Sequence, residues 1–327
     1  MKKTRNFFRR LRPLAVALAT VPLMAHAWTH KPVRIVVPAP AGGTMDVVAR
    51  ILSEAISTEI GQPVIVDNKP GAGGAIGVQA LLNAPADGQT IMFMVSNILT
   101  EIPLVMKTNF DPVKDVKPVT MVARSTMVLV SSTNLPANDL KGLIGYLKSG
   151  KGGPPSFASY SAGTSSQYAG AIFSKKAGLD LQHVPFAGSP PALQNLMGGQ
   201  VDVMFDGLVT ALPMIKAGKL RAYGVGYGTR LPQLPDVPTM AEQGFGEIDF
   251  SNWAGAIVSS KMPDATVNQI NAVITKVAPS PKVREKLIAQ NFVPMTSESP
   301  EQIAKITHDE YERNAQIVKT YNIQLNQ

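Results

Sequence analysis

The feature that most constrains this chain is a recurring order: a β-branched run, a glycine- or hydroxyl-rich loop, then an amphipathic helix. Val33-Arg34-Ile35-Val36-Val37 is followed by Pro38-Ala39-Pro40-Ala41-Gly42-Gly43 and then by a stretch from Thr44 to Ile60. Val47, Val48, Ile51, Leu52, Ala55 and Ile56 fall on one stripe of that stretch and Gly61 supplies a stop, which together predict a helix. Val64-Ile65-Val66 and the run from Thr90 to Val95 read as further buried strands, with a helical segment around Ile76 to Leu82 between them. Strands alternating with helices predict a mostly parallel sheet covered on both faces.

The pattern then starts again. Phe157-Ala158-Ser159 precedes the polar loop from Tyr160 to Ser166, and a helix to about Lys176 follows. Next come a strand around His183-Val184, a helix from Pro190 to Met197, and strands at Val201 to Phe205 and Arg221 to Val225. This second unit reads as a lobe inserted before a return strand near Trp253 to Val258. The expected division is residues 28–124 plus 254–327 for the first lobe and 125–253 for the second. The last helix is well bounded, with Ser299 as N-cap, Pro300 at the first helical position and Gln302 completing a capping box. Its apolar face carries Ile303, Ile306, Tyr311, Ala315 and Val318.

The first residues are an address. Lys2, Lys3, Arg5, Arg9, Arg10 and Arg12 precede an apolar stretch from Pro13 to Met24 that ends in Ala25-His26-Ala27. A basic start, a short apolar core and small residues before the cut read as a cleavable signal peptide, residues 1–27, with Trp28 as the first mature residue. The apolar stretch is too short to span a bilayer. The Arg9-Arg10 pair is followed by Arg12, where a twin-arginine signal has an apolar residue, so the general secretory route is expected. Six of the 31 basic side chains and none of the 23 acidic ones lie in this segment, so the remainder carries a net charge of +2. The basicity is therefore targeting information, and no nucleic-acid footprint is expected.

Composition also narrows the chemistry. The chain has no cysteine, which excludes disulfides, thiolate metal sites, cysteine nucleophiles and a lipidated N-terminal cysteine. Beyond the leader the only histidines are His30, His183 and His308, too few and too scattered for a transition-metal site. There is no G-x-S-x-G elbow, so a periplasmic hydrolase is a weak rival. Lys69 to Gly77 superficially has a dinucleotide-loop shape, but the next strand ends in Val95-Ser96-Asn97 without the acid that would hold a ribose. A structural loop needing close backbone approach is the better use of those glycines. No cofactor and no metal are expected.

What remains is a pair of loops, each placed where a strand ends and a helix begins. Such loops present backbone N–H groups and the positive end of a helix dipole, which bind anions. Two of them facing each other across a cleft would grip a molecule with two anionic ends.

The segments together resemble a known family. Val36-Val37-Pro38-Ala39-Pro40-Ala41-Gly42-Gly43-Thr44-Met45-Asp46, Val66-Asp67-Asn68-Lys69-Pro70-Gly71-Ala72-Gly73-Gly74-Ala75-Ile76-Gly77 and Ala84-Pro85-Ala86-Asp87-Gly88-Gln89-Thr90 resemble the tripartite tricarboxylate transporter substrate-binding proteins, also called the Bug family. His183 to Gly188, Gly198 to Asp202, Ala217 to Ala222 and Leu234 to Glu242 follow in the family's order. The resemblance covers essentially the whole chain after the leader. It implies an α/β, two-lobed periplasmic binding protein of the Venus-flytrap, type II-like kind, each lobe a mostly parallel sheet flanked by helices. It also implies a monomer, not an enzyme, that holds a small organic carboxylate between its lobes and delivers it to membrane permease subunits. A periplasmic sensor using the same closure toward a signalling partner is the alternative.

The family's ligand contacts would fall on Pro40, Ala41, Gly42, Gly43 and Thr44 with Asp46, on Ser96 and Asn97, on Ser161, Gly163, Thr164, Ser165 and Ser166, and on Asp206 and Gly207. Thr164, Ser165 and Ser166 are expected to donate hydroxyl or backbone N–H hydrogen bonds to one carboxylate while Gly42 and Gly43 offer backbone N–H groups near the other end. Asp46 stands open between a ligand contact and a complement to the helix dipole. Three departures bear on the ligand: Ala39 where an aromatic residue is usual, a shortened second-lobe loop with Gln167 where a histidine is frequent, and Ala171 in place of a common glutamate.

Overall fold

The apolar run at Val33 is buried on both faces, and that fixes the layering of the first lobe. The structure, a computed structural model, describes residues 28–296 and 298–323; the expected signal peptide lies outside them. Strand β1 (Val33–Val37) turns Val33, Ile35 and Val37 toward one core and Val36 toward another. Helix α1 (Thr44–Ile60) covers the first core with Met45, Val48, Leu52 and Ile56. It stops where Gly61 adopts φ +67° and returns its N–H to the Ser57 carbonyl, a left-handed cap that glycine adopts without a Cβ penalty. Strand β2 (Val64–Asn68) follows, then α2 (Ala75–Leu82), β3 (Thr90–Val95), the short helices α3 (Asn97–Thr100) and α4 (Ile102–Val105), and β4 (Val116–Arg124). Strand β3 repeats the two-faced burial, with Ile91 and Phe93 on one side and Met92 and Met94 on the other.

The chain then enters the second lobe. Its elements are β5 (Met127–Ser132), α5 (Leu140–Ser149), β6 (Ser156–Ser159), α6 (Ser165–Lys176), β7 (Gln182–Pro185), α7 (Ser189–Met197), β8 (Val203–Gly207), α8 (Leu208–Lys216) and β9 (Leu220–Gly226). Here too the sheet is covered on both sides: Leu129 and Phe205 face one core, Val128, Val130 and Met204 the other. The chain returns through β10 (Trp253–Ser259) and ends with α9 (Asp264–Val277), α10 (Pro281–Ala289), β11 (Val293–Pro294) and α11 (Pro300–Tyr321). The capping box at Ser299 and Gln302 is present, each backbone N–H donating to the other's side chain.

The two sheets run in the orders β11-β4-β10-β3-β1-β2 and β7-β6-β8-β5-β9. The α/β two-lobed architecture is as expected, but the sheets are mixed rather than mostly parallel. Strand β1 is parallel to β2 and β3, and β6 is parallel to β7 and β8. The exchange between lobes supplies the antiparallel members: β10, coming back, wedges between β3 and β4, and β5, arriving, wedges between β8 and β9. Near this crossing the Ser125 N–H meets the Asn252 carbonyl at 2.9 Å and the Leu208 N–H meets the Thr126 carbonyl at 2.9 Å. Helix α11 reaches across it, with Ile303 in a core of the first lobe and Ile317 in a core of the second.

Candidate ligand-binding site

In both lobes the parallel strands end toward loops that open helices, the position where ligands sit in open α/β sheets. Strand β1 leads into the 38–43 loop, β3 into Ser96, β6 into the 160–164 loop, and β8 into Gly207. These loops face one another at the crossing between lobes: Val209 at the start of α8 packs on the first lobe's core, as Ala39 does.

The first loop is held from within. Gly42, at φ +78°, donates its N–H to Asp46 Oδ2 at 2.8 Å, and Gly43 donates to the Pro40 carbonyl at 3.0 Å. Asn68 Nδ2 reaches both the Ala39 carbonyl and Asp46 Oδ1 at 3.0 Å, and Arg50 Nε meets Asp46 Oδ2 at 2.9 Å. Burial pushes the Asp46 carboxyl up, but the hydrogen bonds from Arg50, Gly42 and Asn68 outweigh it and hold it below the usual carboxylate range. With 2% exposure and both oxygens accepting, Asp46 fastens the loop. The expected donors are therefore corrected: the N–H groups of Gly42 and Gly43 are consumed inside the loop. The open donors are those of Thr44, Met45 and Asp46, which begin α1 with no acceptor inside the helix. Pro40, Ala41 and Gly42 form the exposed tip.

The neighbouring glycine loop is structural. A Cβ on Gly74 would lie 2.6 Å from Ile98 Cδ1, and one on Gly77 would lie 2.8 Å from the Pro38 Cβ at the root of the first loop. Close packing explains those glycines.

The second-lobe loop is closed by its own side chains. Gly163, at φ +76°, donates to Gln167 Oε1 at 2.7 Å, so the glutamine that stands in place of a histidine caps the loop. Thr164 Oγ1 donates to the Ser161 carbonyl at 2.7 Å and Ser166 Oγ to the Phe205 carbonyl at 2.6 Å. Ser165 Oγ receives Asn252 Nδ2 at 2.9 Å and shares a hydrogen bond with the Tyr160 hydroxyl at 3.0 Å. A hydroxyl has one proton to give. Thr164 and Ser166 spend theirs on main-chain carbonyls, and the Ser165 N–H is taken by Glu101, so the expected hydroxyl donation to a carboxylate is corrected for Thr164 and Ser166, and the expected backbone donation for Ser165.

At the third loop, Asp206 is fully buried and receives Ser189 Oγ and Thr210 Oγ1 at 2.6 Å each. Burial raises its carboxyl to about 6 against those hydroxyl bonds. It ties the start of α7 to the start of α8, leaving Gly207 as the N-cap of α8. Ser96 is fully buried, its hydroxyl donating to Asn252 Oδ1 at 3.3 Å, and Asn97 opens α3 half-buried.

The sequence reading missed Glu101. It is fully buried between α3 and α4, and its Oε2 accepts the Ser165 N–H, the first of α6, at 2.5 Å. Oε1 has no hydrogen-bond partner among the described residues. Burial pushes this carboxyl up to about 7, while the Asn252 amide and the Ser165 N–H pull it down. The available signal was a lone acid in the otherwise apolar run Ile98-Leu99-Thr100-Glu101-Ile102-Pro103-Leu104-Val105.

Among the described residues these loops assemble no catalytic group. Ser159 Oγ and His183 Nε2 are 2.7 Å apart, but His183 Nδ1 has no partner among the described residues and the ring stacks on Phe157. Burial lowers the imidazole to about 4, so it is a poor base and lacks an orienting acid. A groove of about 550 Å³, whose lining includes none of these loop residues, lies where Val113, Lys117, His308 and Tyr311 meet.

Comparison with known proteins agrees with this geometry. Residues 48–323 match the profile described as the tripartite tricarboxylate transporter family receptor. A UPF0065 protein from the tcbD-tcbE intergenic region of Pseudomonas sp. strain P51 is 35% identical over 325 residues, 98% of this chain and 96% of that one. The structure of the periplasmic binding protein BugD superposes with TM-score 0.82 at 30% identity, covering 90% of this chain and 99% of that one. The R. palustris protein Rpa4515 with adipate superposes with TM-score 0.84 at 28% identity, covering 91% and 99%.

Proposed function

Because the chain belongs to the tripartite tricarboxylate transporter receptor family, a family of solute-binding receptors rather than enzymes, we propose that it captures a small organic carboxylate between its lobes in the periplasm. Delivery to the membrane subunits of a tripartite tricarboxylate-type transporter completes the reading, with a cleavable leader ending at Ala27 and a monomeric mature chain. The lobes divide at residues 28–124 plus 254–327 and 125–253. Pro40 to Thr44, Ser96, Asn97, the 161–166 loop and Gly207 line the cleft, while Asp46 and Asp206 hold those loops in shape.

The observation that carries this reading is the convergence of helix starts on the crossing between lobes. The open N–H groups of α1, donors suited to a carboxylate, lie at that crossing, where Val209 at the start of α8 packs on the first lobe's core. A thermal-shift screen of the mature protein against organic acids tests it. An acid at 100 times its dissociation constant raises stability by ~2.7 kcal/mol. Stabilisation by sugars or polyamines with none by any acid would overturn the ligand class.

A further inference from the structure

The helix starts at the cleft are not electrostatically alike. At α1 the internal carboxylate, Asp46, is paired with Arg50 at 2.9 Å, so the pair is close to neutral and the helix N-terminus still favours an outside anion. At α6 the internal carboxylate is Glu101. It takes the first N–H of that helix, is fully buried, and has no ion pair among the described residues. Gln167 takes the N–H of Gly163 in the same loop.

We propose that Glu101 makes this site selective for acids carrying a single carboxylate, because its own carboxylate holds the anion position at the start of α6. The inference rests on the carboxylate-binding reading and narrows it. The ligand's carboxylate goes to the start of α1. Its far end, facing α6, is a group without negative charge such as a hydroxyl or an amine, because Glu101 already takes the first N–H of that helix. A second carboxylate there would meet a like charge in a water-poor setting, where such pairs cannot both ionise cheaply.

Other charged and titratable groups surround Glu101. Tyr168 from α6 donates its hydroxyl to the Glu101 carbonyl at 3.1 Å, and Tyr160 bonds to Ser165. Burial raises both phenols, which stay protonated. Glu310 and Arg313 act on Glu101 from α11 with opposite signs, and Arg124 lies 3.7 Å from Glu310. Asp206 acts on Tyr160 and titrates near Glu101, so a pH effect alone would not separate the two and a Glu101 variant is required.

The test is calorimetric titration of the mature protein with matched pairs, propanedioate through octanedioate each against the ω-hydroxy acid of the same chain length. At about pH 8 the best hydroxy acid binds wild type on the order of tenfold or more tighter than its diacid. Glu101→Gln, whose fold is checked by its melt, closes that gap by a similar factor. In wild type the gap also narrows as the pH falls to about 6 and Glu101 takes up a proton, a response that Glu101→Gln lacks. Where Glu101→Gln folds poorly, Asp206→Asn keeps the test decisive: a pH response of the gap that survives in it belongs to Glu101, and one that is lost with Asp206 would overturn the inference. A diacid that binds wild type as tightly as its hydroxy acid would overturn the inference while leaving the carboxylate reading intact. So would a gap unchanged by both the variant and pH. Binding of no acid at all would overturn both.

Discussion

Asp46→Asn separates a residue that builds the first loop from one that touches the ligand. The wild-type carboxylate accepts from Gly42 N–H, Arg50 Nε and Asn68 Nδ2. An asparagine retains one acceptor oxygen and turns an amide N–H₂ toward groups that are themselves donors. The Arg50 bond is at the surface, with that side chain 56% exposed, and is discounted for solvent. The bonds from Gly42 and Asn68 carry the cost. Hydrogen bonds to a charged group are worth ~1.5–3 kcal/mol each and do not add fully, so the substitution destabilises the ligand-free protein by about 2–3 kcal/mol. At ~2–4 °C per kcal/mol the melt falls by roughly 4–12 °C. The acid limb checks the same assignment. The folded Asp46 carboxyl lies below its unfolded value, so its contribution is complete above the ordinary carboxylate range and fades as pH falls through the depressed folded value. Wild-type and variant melts therefore converge in acid. A variant with an unchanged ligand-free melt but weakened acid binding would refute this and make Asp46 a ligand contact.

Three further outcomes follow from the same geometry. Ser166→Ala removes the hydroxyl bond to the Phe205 carbonyl and lowers second-lobe stability by ~1 kcal/mol, with affinity measured by calorimetry changing less than twofold to threefold; a large affinity loss with an unchanged melt would return this hydroxyl to the ligand. His183, half-buried and stacked on Phe157, stays neutral through the physiological range, and NMR titration finds its transition near 4 rather than close to the ordinary 6.5. Mass spectrometry of periplasmic protein finds Trp28 first. Trp28 is 8% exposed and its indole donates to the Gly88 carbonyl at 2.8 Å, so the expected mature chain begins at a packed residue; retention of residues 1–27 in a membrane fraction would contradict the leader.

What was legible in the sequence was local. Helix α1 spans Thr44 to Ile60 as the apolar stripe and Gly61 predicted, β3 spans Thr90 to Val95, and the Ser299 cap forms as read. The strand expected at Val201 to Phe205 lies two residues later, at Val203–Gly207. The long β4 was missed because Pro118 interrupts a run that otherwise reads as a strand. The mixed sheets were hidden because strand direction depends on when the chain changes lobes, not on residue period. The site was legible as loops and illegible as donors. The hydroxyls and N–H groups of the 161–166 loop look available along the chain, yet the fates of Ser166 Oγ, Ser165 Oγ and the Ser165 N–H are set by Phe205, Asn252 and Glu101, which lie 39, 87 and 64 residues away.

Helix α11 bears on how the lobes move. Its 22 residues run ~33 Å at 1.5 Å per residue, long enough to serve both lobes. Ile303 near its start is fully buried in the first lobe's core, and Ile317 near its end is 9% exposed in the second lobe's. Between them Asn314 Nδ2 donates to the Thr100 carbonyl at 3.0 Å, beside Glu101, and beyond them Lys175 Nζ from α6 meets the Thr320 carbonyl at 2.9 Å. A rod fixed at both ends makes one lobe's loss of structure remove packing from the other, so the protein melts as one unit. Truncating a buried isoleucine costs ~2–5 kcal/mol, with Ile303→Ala toward the upper part and Ile317→Ala toward the lower. Both variants lower a single calorimetric transition whose van't Hoff and calorimetric enthalpies agree. Two separated transitions, with Ile317→Ala moving only one of them, would show that the lobes unfold independently and that α11 is merely laid against the second.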